Sequence, residues 1–233
     1  RSSHRFSSTF NYGWDKVDRR KEINDLTTKY PSSCELYRRI LLLSLIDMLS
    51  KCAFPNEVKN RTRFVRLIDC YSDWKYKDYV SLSQLHCILI KKGVCQKLRS
   101  EIEKRINNLV KGEIYRPEKA DVTIQELANF KCAKCEKLID DARYSSLLWQ
   151  MRNYALHEFR RVGKGMASIS SNHSTPFLHE FQELNGSVSW ELYIPGDVIS
   201  QITQNSSHNL EQKFKTEARD PYDAFSYRSN WYP

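Results

Sequence analysis

Apolar residues return every three or four positions through much of the chain, the spacing that lines one face of an α-helix. Leu36, Ile40, Leu43 and Asp47 mark a first helix, capped by Ser32 or Ser33 and running to about Cys52. It is the most hydrophobic of the predicted helices and is expected at the centre. Phe54-Pro55-Asn56 breaks the pattern, and Val58, Phe64, Val65, Leu67, Ile68 and Tyr71 define a second helix from Asn56 to about Trp74. Residues 75–80 read as a charged linker. Ser81 then starts a short helix through Leu82, Leu85, Ile88 and Leu89 that Gly93 stops. A further helix spans residues 94–111 through Leu98, Ile102, Ile106 and Leu109, and residues 113–118 read as a loop. Asp121 or Thr123 caps the approach to the next helix.

That next helix, residues 134–163, carries the most informative side chains. Leu148, Trp149, Met151, Ala155, Leu156 and Phe159 fan across one broad sector, and Arg152 falls in its middle. A guanidinium there needs a partner, a route to water or a polar cleft. Asp47, itself polar within Leu45-Ile46-Asp47-Met48-Leu49, is one candidate partner and Glu158 another. Asn153 and His157 are four residues apart and share a face at the polar margin. On an ideal helix Arg152 and His157 lie about 140° apart, so they are not expected to reach one phosphate from a single face; a cleft straddling the helix or a second subunit would have to bring them together.

Beyond residue 163 the period changes. A Ser/Asn-rich linker leads to two alternating segments, residues 177–184 and 187–194, on either side of Asn185-Gly186, a strong two-residue hairpin signal. Val188, Trp190, Leu192 and Ile194 are the expected buried face. Pro195-Gly196-Asp197 opens a final helix to about Ala218, followed by an aromatic tail. The fold class is mainly α, in three parts: an N-terminal arm (1–30), a helical bundle (31–168), and a hairpin, helix and aromatic tail packed on the bundle (169–233). Within the arm, residues 15–29 read as a short charged helix that Pro31 ends.

The net charge of +9 sits unevenly: residues 174–233 hold four basic and eight acidic side chains, so the excess lies upstream, with the motif helix. A basic surface of this kind suits a phosphate-bearing partner, and serves equally as a solvated face. The longest apolar run, Ile40 to Ile46, is too short to span a bilayer, so no membrane association is expected. Seven cysteines, an odd number, read as reduced thiols in a cytoplasmic protein. Cys132-x-x-Cys135 has the spacing of half a zinc site or a redox pair, but nothing completes it, and no metal or cofactor is expected.

Arg152-Asn153-Tyr154-Ala155-Leu156-His157 resembles the R-N-x-x-x-H form of the R-x(4-6)-H signature of the HEPN superfamily. The resemblance implies an HEPN-like helical bundle and a metal-independent endoribonuclease acting as a toxin or phage-defence effector, with an antitoxin or other regulatory protein as a further partner. It also implies a homodimer whose two motif helices meet, so that each composite site holds two arginines and two histidines. Histidine suits the proton transfers of 2′-hydroxyl attack and arginine suits the phosphate. His157 is then the general base or acid, Arg152 the electrostatic clamp, and Asn153 an orienting group, with a 2′,3′-cyclic phosphate as product. DNA, lacking the hydroxyl, would not be cut. Arg63 and Arg66 on the second helix, with Arg160, Arg161 and Lys164 after the motif, are candidates to hold the RNA backbone. The alternative is a non-catalytic HEPN-like module that binds RNA, a nucleotide or a protein. Some HEPN toxins carry a tyrosine two positions after the histidine; here that position is Phe159, which puts control through that hydroxyl in doubt.

Overall fold

The computed structural model describes residues 31–128, 133–159, 174–182, 186 and 188–221. The elements in chain order are α1 (Pro31–Ala53), α2 (Asn60–Tyr71), β1 (Tyr79–Val80), α3 (Leu82–Lys92), α4 (Gln96–Asn107), β2 (Ile114–Tyr115), α5 (Pro117–Ala120), β3 (Val122–Thr123), α6 (Ala133–Asp141), α7 (Tyr144–His157), β4 (Phe177–Gln182), β5 (Val188–Tyr193) and α8 (Gly196–Glu217). The fold is mainly α with two small antiparallel sheets, one pairing β1 with β3 and one ordered β2-β4-β5. The expected N-terminal arm, the linker after the motif, most of the hairpin turn and the aromatic tail lie outside the described residues.

Two apolar clusters divide the core. The larger joins α1, α2, α7 and α8 through Leu43, Ile46, Phe64, Leu67, Ile68, Tyr144, Leu148, Ile199, Ile202, Leu210 and Phe214, all fully or almost fully buried. Asparagines of α8 add polar grip. Asn205 Nδ2 donates to the Ser72 carbonyl (2.9 Å) and Asn209 Nδ2 to the Tyr71 carbonyl (2.9 Å), which satisfies carbonyls left free where α2 ends. The smaller cluster gathers Val80, Leu82, Leu85, Leu89, Leu98, Ile102, Val122, Leu127 and Ile139 from β1, α3, α4, β3, α6 and the turn after β3.

Several expected boundaries hold, for local reasons. Ser81 caps α3 by accepting from the Gln84 N–H, and Gly93 ends it in the left-handed conformation, φ 62°. Thr123 and Glu126 form a reciprocal pair, the Thr123 N–H on Glu126 Oε2 (2.7 Å) and the Glu126 N–H on Thr123 Oγ1 (3.4 Å). Asp121 caps α3 instead, its Oδ1 accepting from the Leu82 N–H at 2.8 Å.

Other expectations are corrected. The motif helix does not run unbroken from residue 134: α6 ends at Asp141 and α7 begins at Tyr144. Arg143 is extended (φ −67°, ψ 141°) and forms a β-bridge with Val80, while Ser81 N–H donates to the Ala142 carbonyl at 3.0 Å. These tertiary hydrogen bonds outweigh the local helical preference. α7 also stops at His157, earlier than expected, with Phe159 at φ 48° and 69% exposed, not buried in the core sector. The hairpin gains a third strand, since Ile114 and Tyr115 of the expected loop pair with His179 and Leu178. Its register joins Gln182 to Val188, whereas a two-residue Asn185-Gly186 turn would pair 184 with 187; the strands are therefore offset by one residue.

Candidate functional site

The end of α7, the C-terminal half of α1 and the start of α2 converge on one polar cluster. Arg152 Nη2 donates to Asp47 Oδ2 at 2.6 Å, the pairing named above as a candidate. Arg63 Nη2 stands 3.4 Å from the other carboxylate oxygen, Oδ1. Arg63 is itself held by Asn60 Oδ1 (2.5 Å from Nη1) and Ser50 Oγ (3.3 Å from Nε). The three charged side chains retain only 14–15% of their exposure, so solvent screens them weakly. Arg152 also lies over Trp149, its guanidinium carbon 5.0 Å from the ring centroid, which gives the cation an apolar floor.

On its outer side Arg152 Nη1 donates to Asn153 Oδ1 at 3.2 Å and meets His157 Nε2 at 3.1 Å. The expected separation of Arg152 and His157 is thus overturned. Their Cα atoms leave the helix in different directions, but the long arginine side chain and the position of His157 in the last turn bring the two heads together. A guanidinium has hydrogens to give and no lone pair to receive with, so this contact is a hydrogen bond when Nε2 is bare and the imidazole proton is on Nδ1. His157 is exposed, as are Glu158 and Phe159 after it. The cluster therefore runs from a desolvated ion pair at Asp47 to an imidazole in contact with water.

The structure brings Arg152, Asn153, His157, Asp47 and Arg63 together. Arg66 is elsewhere, exposed and stacked on Phe54 at 4.3 Å. Arg160, Arg161 and Lys164 lie outside the described residues. Ser50 and Asn60 were not anticipated; the signal for them is helical spacing, since each stands three residues from a member of the cluster.

Two further polar groups fix where α7 begins. Arg143 ties Asp69 (3.0 Å) and Asp78 (3.3 Å) through Nη1, and its Nε lies 3.2 Å from Asp140 with the N–H pointing off the oxygen. Burial pushes the Asp69 carboxyl up, against the pull of Arg143. The Tyr144 hydroxyl donates to Asp121 Oδ2 at 2.5 Å. Burial raises the Asp121 carboxyl to about 6, opposed by hydrogen bonds from Tyr144 and the Leu82 N–H. Burial, and then the charge of Asp121, raise the Tyr144 hydroxyl well above its ordinary value.

The cysteine reading is corrected at one pair: Cys95, at the start of α4, and Cys135, on α6, form a disulfide across 40 residues of sequence. Cys52, Cys70 and Cys87 are free thiols. Cys135 is thus committed to Cys95, and Cys132 lies outside the described residues. Among the described residues no group of three or more His, Cys, Asp or Glu is arranged to hold a metal ion, and no helix is long and apolar enough to cross a membrane.

No family model, curated protein or solved structure matches this chain.

Proposed function

We propose that the chain is a metal-independent endoribonuclease of the HEPN type, cleaving RNA by attack of the 2′-hydroxyl on the adjacent phosphate. The observation that carries this reading is the 3.1 Å contact between Arg152 Nη1 and the exposed His157 Nε2. A phosphate entering from solvent would compete for Nη1, and its arrival would free the Nε2 lone pair to take the 2′-hydroxyl proton. Arg152, anchored through its other nitrogen by Asp47, would stay on the phosphate as negative charge builds. Asn153 would hold the guanidinium in plane. Protonation of the departing 5′-oxygen asks for a second acid, and in this reading a second copy of the chain supplies it from its own His157 in a homodimer. The exposed Phe159 beside the motif offers such a partner an apolar contact. A role as a cytoplasmic toxin or phage-defence effector, held in check by an antitoxin, belongs to the same reading and rests on the motif's resemblance.

The test is incubation of the purified chain with single-stranded RNA and a DNA of the same sequence in excess EDTA. RNA cleavage leaving a 2′,3′-cyclic phosphate is expected, with the DNA intact. Either His157→Ala or Arg152→Ala should slow cleavage by at least about 100-fold. Cleavage that survives both substitutions rules the reading out. The Asp47–Arg152 ion pair favours one alternative, a non-catalytic module whose arginine is structural; retention of RNA without cleavage would identify it.

A further inference from the structure

Asp47 and Arg63 contribute more than charge balance. A carboxylate facing a single guanidinium usually takes it in a two-on-two fork, each oxygen receiving one N–H. Asp47 does not close on Arg152 in that way: Oδ2 takes Arg152 Nη2 at 2.6 Å, while Oδ1 stands toward Arg63 Nη2 at 3.4 Å. Arg63 does not depend on Arg152 for its place, because Asn60 and Ser50 hold its other nitrogens. Ser50 Oγ in turn donates to the Asp47 carbonyl at 2.6 Å, which joins Arg63 to the backbone of α1 beside the carboxylate. Two consequences follow for Arg152. Its Nη1 remains directed at Asn153 and His157. And two guanidiniums set against one carboxylate leave one positive charge over, which an incoming phosphate can use; without Arg63 the pair would be neutral.

We infer that Asp47 and Arg63 act as a positioning pair for Arg152: Asp47 anchors Nη2 of the guanidinium, and Arg63, by occupying the second carboxylate oxygen, leaves Nη1 to His157 and the substrate phosphate. The inference rests on the nuclease reading above for its consequence in catalysis, but the placement of Arg152 against His157 can be read without any reaction. In this arrangement Arg63 works from within the protein and not as a contact to the RNA backbone.

The experiment compares the full chain with Arg63→Gln, Asp47→Asn and Asp47→Glu. It measures kcat and KM for single-stranded RNA in EDTA, the NMR resonances of the His157 ring at fixed pH, and a thermal melt to establish folding. Arg63→Gln should fold, lose about 10- to 100-fold in kcat with a smaller change in KM, and shift the His157 ring resonances. Asp47→Glu should retain more activity than Asp47→Asn. If Asp47→Asn does not fold, Arg63→Gln decides alone. A folded Arg63→Gln with the kcat and the His157 resonances of the unaltered chain overturns the inference. If the unaltered chain leaves RNA intact while Arg63→Gln still moves the His157 resonances, the positioning stands and the nuclease reading falls. Intact RNA together with unmoved resonances defeats both.

Discussion

At Asp121, burial and hydrogen bonding act in opposite directions. Two donors, the Tyr144 hydroxyl and the Leu82 N–H, favour its ionised form, yet desolvation prevails and raises the carboxyl to about 6. The folded protein thus holds this proton more tightly than the unfolded chain, where the ordinary value is 3.8. Stability from this group is complete below pH 3.8 and is lost as pH rises through 6. Between pH 7 and pH 5 the unaltered chain should gain about 1 kcal/mol from it. Asp121→Asn, which cannot titrate, should lack that increment, as urea unfolding midpoints at the two pH values would show; parallel pH profiles for the two proteins would contradict it. In the polar cluster around Arg152 the sequence was legible where a residue broke its own pattern. Arg152 stands in an apolar sector and Asp47 in an apolar run, and each is the other's ionic partner across two helices. Arg63 was not legible in the same way, because basic residues on an amphipathic helix are usually solvated, and only the packing of α1 on α2 turns this one toward Asp47.

Among the elements, the break between α6 and α7 is held by Arg143. Its side chain is 12% exposed, and the guanidinium lies against carboxylates from α2, the turn before β1 and α6. Arg143→Ala would leave Asp69, already pushed toward its neutral form by burial, without its main counter-charge. The expected loss is about 2 kcal/mol in urea unfolding, on the order of a charged hydrogen bond left unmade. A loss below about 0.5 kcal/mol would show the ion pairs to be no stronger than surface contacts. No local signal marks this break: Ala142 and Arg143 both suit a helix, and the competing hydrogen bonds come from Val80 and Ser81, more than 60 positions earlier. The same limit hid β1, β2 and β3, strands of two residues each, too short to show an alternation. Caps were legible because their chemistry is local, as Ser81 and Gly93 show.

Over the whole molecule, the disulfide belongs to the smaller cluster alone, closing a loop from α4 to α6. For a loop of 40 residues the chain-entropy account gives about 4 kcal/mol of stabilisation. Reduction with dithiothreitol, or replacement of Cys95 and Cys135 by Ser, should therefore lower the unfolding midpoint. Amide exchange should rise first in α3, α4 and α6 and only later in α1, α2, α7 and α8; uniform acceleration would show the two clusters to be a single cooperative unit. Pairing of this kind persists in oxidising surroundings and is rare in the cytosol, so the redox state of the purified chain bears directly on where it works. The extended residue at position 143 has one more consequence, for how this architecture tolerates change. In an unbroken helix, a residue inserted upstream would swing every later side chain by about 100°. Here the angular phase is reset at Tyr144 by the bridge to Val80, so length changes in α6 would leave the aim of Arg152 and His157 as it is.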